Sequence, residues 1–280
     1  MKSRRSGRSQ SSPRPQPRPG RAASKGSIGF EHSKGSRLVI GLHSVREVIQ
    51  VRPKDIEGAW LRQDWERSQE LAELGGWLQT QRIPLRLVSA EHLTRLGAGH
   101  QGVCLAVSSS PQLDWEDLAS RDRCLLVALD GVEDPHNLGA VLRTSWLMGV
   151  SGVLIPDMRS VGLTPTAAKV ASGGAEYVPL WSETNLASAL GRLKDMGFWI
   201  FALKAGDSAR QLWSLDMPEK VVWVLGSEDK GVRVPVLRAC DEQVAIAQAN
   251  SAASYNVSVA CAVALAETQR QWASIKNIGK

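Results

Sequence analysis

Five polar residues in this chain have the types and settings for chemistry: Asn137, Arg143, Glu228, Ser254 and Asn256. A carboxylate can accept protons, carboxamides can orient a hydroxyl, and a guanidinium can hold a phosphate. Taken singly, each has an ordinary structural reading. Asn137 follows a turn, Asp130–Pro135, and stands where a helix N-cap is expected. In the helix after it, Leu138, Val141, Leu142, Ser145 and Met148 share a face. Arg143 lies about 140° from that face, off the packed side and toward the loops. Glu228 follows an apolar run and a glycine, as a turn carboxylate would. Ser254 could cap the apolar run that starts at Val257, but the small-residue loop before it, Ala249–Ala253, favours a ligand.

The elements that must carry these residues are legible from the hydrophobic pattern. Continuous Val/Ile/Leu runs mark buried strands at residues 124–129, 152–155, 177–180, 198–203, 221–225 and 243–247. Helices are expected at 138–148, 165–172, 185–196, 234–239 and 255–272. Alternation of this kind implies a parallel sheet covered on both faces, with ligands outside the carboxyl ends of its strands. The last helix has almost no polar face and should be buried against protein on all sides. Residues 36–108 alternate shorter strands and helices and form a smaller α/β layer; 109–122 read as a linker and 123–275 as the larger domain. Residues 1–35, with Pro13, Pro15, Pro17 and Pro19 among basic and polar residues, cannot bury a core and are expected to be disordered.

Those first 35 residues hold nine Lys/Arg and one Glu, while the other 245 hold 25 basic and 27 acidic residues, so the net +6 belongs to the tail. Such a tail suits a phosphate-rich partner, or equally a solubilising arm. No apolar run is long enough for a membrane span and no apolar segment near Met1 reads as a secretory signal, so a cytoplasmic protein is expected. The prolines argue against an amphipathic transit peptide. Cys104, Cys124, Cys240 and Cys261 are scattered in apolar runs without metal spacing and read as reduced core residues. Gly97–Gly102 matches a dinucleotide fingerprint in letters only: it leads into a strand and not a helix. The ten tryptophans are scattered and read as core or interface anchors.

Three blocks together are more specific than any residue alone. They are D-x-x-x-D-P-x-N-x-G-A-x-x-R-T from Asp130, L-G-S-E-x-x-G-V-R from Leu225, and I-A-(x)6-S-Y-N-V-S-V-A from Ile246. In this order they resemble the SpoU/TrmH branch of the SPOUT RNA methyltransferases, over about residues 38–272. Residues 40–45 and 100–103 are similar to the small substrate-binding domain of members that methylate a guanosine ribose in 23S rRNA. The resemblance implies a trefoil-knotted parallel sheet, a homodimer through the knot, an RNA substrate and S-adenosylmethionine as cofactor, with no metal. It places the cofactor against Leu203, Gly226, Ile246 and Tyr255. Tyr255 replaces the usual Leu, and Ala247 the usual Pro, which would reshape the adenine pocket. It makes Arg143 the central catalytic residue, with Asn137, Glu228, Ser254 and Asn256 around it. Arg143 would bind the flanking phosphate and polarise the ribose 2′-hydroxyl, with the phosphate or the arginine taking the proton. A tRNA ribose methylase, or a non-catalytic RNA-binding assembly factor, is the alternative.

Overall fold

The computed structural model describes residues 36–108, 110–206, 209–250 and 253–278; the expected tail, 1–35, lies outside them. The first layer contains β1 (Arg37–Ile40), α1 (Leu42–Val51), β2 (Ile56–Arg62), α2 (Gln69–Thr80), β3 (Leu85–Val88), α3 (Ala90–Leu96) and β4 (Val103–Val107). Its sheet runs β1-β4-β2-β3, with β4 antiparallel to both neighbours and β2 parallel to β3. The Gly97–Gly102 segment is the turn from α3 into β4, and Gln101 uses its Oε1 to accept from Leu42 N at the start of α1 (3.0 Å).

The second part begins with α4 (Trp115–Ser120) and continues through β5 (Cys124–Asp130), α5 (Pro135–Leu147), β6 (Gly152–Pro156), α6 (Pro165–Val170) and α7 (Gly174–Tyr177). It then contains β7 (Leu180–Glu183), α8 (Leu186–Asp195), β8 (Trp199–Leu203), β9 (Arg210–Gln211), β10 (Lys220–Gly226), α9 (Val234–Ala239), β11 (Glu242–Ala245) and α10 (Val257–Ile278). The sheet order is β7-β6-β5-β10-β8-β11-β9 and every pairing is parallel. Alternate residues of the central strands feed opposite cores, as the two-residue period of a strand requires. Leu125, Val127, Leu129, Val221, Trp223 and Leu225 pack on the side of α5 and α10. Leu126, Ala128, Val222 and Val224 pack on the side of α8 and α9. The buried Trp223 indole donates to Thr268 Oγ1 at 2.9 Å, which joins β10 to α10; left unmade, that bond would cost about 1–3 kcal/mol.

Four expectations need correction. Residues 177–180 do not form one strand: α7 ends at Tyr177 and β7 starts at Leu180. Pro179 separates them because it has no N–H to give a ladder. The linker contains α4, capped by Asp114, whose side chain accepts from Glu116 N and Asp117 N. The helix expected at 138–148 begins earlier, at Pro135, with Asp134 as its N-cap and not Asn137. The last helix begins after Asn256 and not at residue 255, and one chain buries only one side of it. Cys261, Ala264, Leu265, Thr268 and Trp272 face inward while Val259 is 48% exposed.

The four cysteines are free thiols, and burial pushes Cys104, Cys240 and Cys261 up to about 12. They are therefore poor nucleophiles and act as small apolar residues. No helix among the described residues is long and apolar enough to cross a membrane.

Candidate active site

Parallel strands that end on one edge deliver their following loops to one place. Here β8, β10 and β11 deliver residues 203–205, 225–232 and 244–248, and the lead into α10 adds 254–257. Together they line a cavity of about 350 Å³ that includes Leu203, Gly226, Ile246 and Tyr255. Its wall is apolar at Leu225, Leu237, Val244, Val257 and Ala260 and polar at Lys204, Glu228, Lys230, Gln248 and Ser254. That mixture and size suit a small molecule with an apolar body and a few polar groups.

The loop after β10 is folded tightly on itself. Gly231 N donates to Ser227 O at 2.8 Å, and Gly231 has a φ of 64°. A Cβ on Gly226 would stand 1.9 Å from Gly231 C, so only glycine lets the two stretches of backbone meet. Asp130, buried at the end of β5, anchors the far end of this loop. Its carboxylate accepts from Arg233 N (2.8 Å) and Arg233 Nε (2.7 Å), and its carbonyl accepts from Ser227 N (3.1 Å). A buried carboxylate is tolerated only with such partners. Asp130 opens the first sequence block and Arg233 closes the second, but their spacing alone gives no sign that they meet.

Beside the cavity, three side chains from three distant segments form a closed triangle. Asn256 Nδ2 donates to Glu228 Oε1 at 2.7 Å and to Asn137 Oδ1 at 2.9 Å. Asn137 Nδ2 donates to Glu228 Oε1 at 3.1 Å. The correction at the start of α5 explains how this is possible. Asp134 takes over the cap by accepting from His136 N at 2.8 Å, which frees the Asn137 carboxamide to face the triangle from inside the first turn. Asn256, and not Ser254, caps α10: its Oδ1 accepts from Ser258 N at 2.9 Å. Both amides are thus oriented by their own bonds, leaving the second carboxylate oxygen of Glu228 for another donor.

Glu228 lines both the cavity and a neighbouring cleft of about 550 Å³ that also includes Asn137, Arg159 and Lys230. The triangle therefore stands on the boundary between two recesses, where a group held in one can meet a group held in the other. Ser254 lines the first recess. Arg143 lines neither of these two recesses and has no hydrogen bond or ion pair to a described residue. It is exposed on α5, about 9 Å along the helix axis from Asn137 and roughly 120° around it. No group of three or more His, Cys, Asp or Glu among the described residues could hold a metal.

Comparison with known proteins yields two family matches in the chain. Residues 124–266 match the SpoU rRNA methylase family, and residues 38–113 match a family of RNA 2′-O ribose methyltransferase substrate-binding domains. The 23S rRNA (guanosine-2′-O-)-methyltransferase RlmB of Salmonella typhi is 37% identical over 242 residues, 84% of this chain and 99% of its own length. The Pseudomonas aeruginosa protein of the same name is 40% identical over 243 residues, 83% of this chain and 96% of its own. The fold is shared by the SpoU methyltransferase AviRb from Streptomyces viridochromogenes, whose structure contains AdoMet. It aligns at a TM-score of 0.76 and 21% identity, covering 86% of this chain and 91% of its own.

Proposed function

Because the chain belongs to the SpoU rRNA methylase family, we propose that it is an S-adenosylmethionine-dependent RNA 2′-O-ribose methyltransferase acting on a guanosine of 23S rRNA. The observation that carries this reading is the Asn137–Glu228–Asn256 triangle on the rim of a cavity lined by Leu203, Gly226, Ile246 and Tyr255. When bound, S-adenosylmethionine supplies a sulfonium methyl group for the ribose 2′-oxygen to attack. The apolar walls and the loop backbones at Leu203, Gly226, Ile246 and Tyr255 fit the cofactor, with Tyr255 Oη donating to Ala247 O (3.4 Å) and holding that loop closed.

The chain's own work is to position and to deprotonate. Holding two reactants in line removes much of the entropic barrier. Asn137 and Asn256 set the floor against which the ribose rests, Glu228 fixes both amides, and Ser254 orients the substrate from the cavity side. A guanidinium is a poor proton acceptor in water. Arg143 therefore acts by holding a phosphate beside the target and polarising the 2′-hydroxyl, whose proton leaves to a phosphate oxygen. Recognition of the 2′-hydroxyl is also what separates RNA from DNA.

Residues 36–108 act as the RNA-binding domain, 109–122 as the link, and 123–275 as the methyltransferase domain with the knot expected of its family. Membership of the SpoU rRNA methylase family supports the knot. The outward face of α10, with Val259 exposed beside Ala262 and Val263, supports a homodimer through this helix. The protein works in the cytoplasm, where its rRNA is.

The test is transfer of labelled methyl from S-adenosylmethionine to a 23S rRNA transcript, followed by digestion to nucleosides. The expected product is 2′-O-methylguanosine. Label on a base, label on tRNA alone, or no label at all would each contradict this reading.

A further inference from the structure

Between α6 and α7 the chain turns through two left-handed residues, Ser172 (φ 48°) and Gly173 (φ 93°). A side-chain-bearing residue seldom takes that conformation unless its surroundings hold it there. What holds it comes from the four-stranded layer. His43 Nε2 donates to Ser172 O at 3.0 Å. A Cβ on Gly173 would lie 2.5 Å from Glu47 Cγ, and Tyr177 Oη donates to Glu47 Oε2 at 2.6 Å. Glu176, with its side chain 1% exposed, pairs with Arg37 and with Arg52 (3.0 Å), both from the same layer.

The opposite side of this segment rests on α5, backbone against backbone at Gly174. A Cβ on Gly174 would stand 2.8 Å from Leu142 O and 3.1 Å from Arg143 Cα, and just before the segment α6 packs equally closely, a Cβ on Gly139 standing 2.6 Å from both Ala167 O and Val170 Cβ. Tyr177 stacks on Trp146 of the same helix at 4.5 Å. The layer thus grips residues 172–177, and those residues lie backbone to backbone against the helix that carries Asn137 and Arg143. Two guanidiniums around one buried carboxylate give little net stability, yet they fix one arrangement and disfavour others.

We propose that Glu176 is a positioning residue: through Arg37 and Arg52 it locks the four-stranded layer to α5, so that RNA gripped by the layer meets Arg143 at a set distance. The proposal rests on the methyltransferase reading above. Its effect appears in the rate of transfer, since misplacement by about 1 Å can lower a rate on the order of 100-fold while binding persists.

The experiment uses full-length Glu176→Gln and Glu47→Gln, a 23S rRNA transcript, and temperatures below each variant's melting point. In Glu176→Gln, affinities for S-adenosylmethionine and for the transcript stay within about threefold of wild type, while single-turnover transfer at saturating RNA falls roughly tenfold or more. Glu47→Gln, which weakens the grip on Tyr177, falls by less and in the same quantity. A role in stability alone would lower the melting temperature and leave transfer per folded molecule unchanged. Wild-type transfer by both variants, or by Glu47→Gln if Glu176→Gln does not fold, would overturn the lock and leave the enzyme reading standing. No transfer by the wild type would end both.

Discussion

Glu228 accepts two amide hydrogen bonds on one oxygen, and that geometry decides between two roles for it. If it acts as a base, its charge is essential; if it orients Asn137 and Asn256, its carbonyl-like oxygen is enough. The triangle favours the second. Glu228→Gln, which keeps an acceptor, should retain a tenth or more of the transfer rate, whereas Glu228→Ala should lose about 100-fold or more. Equal loss in both variants, measured under single turnover, would make the carboxylate a base. All three members of the triangle could be picked out from residue type and block spacing. Their contact could not, because Asn137 and Asn256 are 119 positions apart and either could equally well have been a cap. Asp134 and the proline after it settle the first case: Pro135 starts the helix three residues earlier than expected and leaves Asn137 within its first turn.

At the scale of elements, the loop after β10 is the part that cannot be loosened. Gly226 touches the Gly231 backbone at a distance no Cβ can share. Gly226→Ala must displace the 226–232 loop, an overpacking of about 1–3 kcal/mol, or roughly five- to 150-fold in ligand affinity. Calorimetry should show that loss for S-adenosylmethionine, with far-ultraviolet circular dichroism unchanged; wild-type affinity would mean that this loop is not part of the cofactor site. Continuous apolar runs marked β5, β6 and β10 well, since strands buried on both faces leave no polar alternation. The two-residue β9 and the restart of α7 after Ser172 were not legible. The first is too short to carry a period, and the second depends on a left-handed turn held by His43 from another part of the chain.

On the scale of the whole molecule, the chain joins two layers with different tasks. Leu203, Gly226, Ile246 and Tyr255 line a recess built by the carboxyl edge of the seven-stranded sheet. The four-stranded layer is fastened to residues 172–177, directly behind α5. Arg143 stands between these tasks: exposed, bonded to no described residue, and roughly 120° around α5 from Asn137. Its position makes sense if the RNA itself completes the site, with a phosphate on the guanidinium and the adjoining ribose against Asn137 and Asn256. The arginine would then contribute nothing to holding the methyl donor and nearly everything to using it. Arg143→Ala tests this directly, with donor affinity and single-turnover transfer to a 23S rRNA transcript measured on the same preparation. The account predicts unchanged affinity for S-adenosylmethionine and a fall in rate of about 1,000-fold or more. Transfer at the wild-type rate would contradict it.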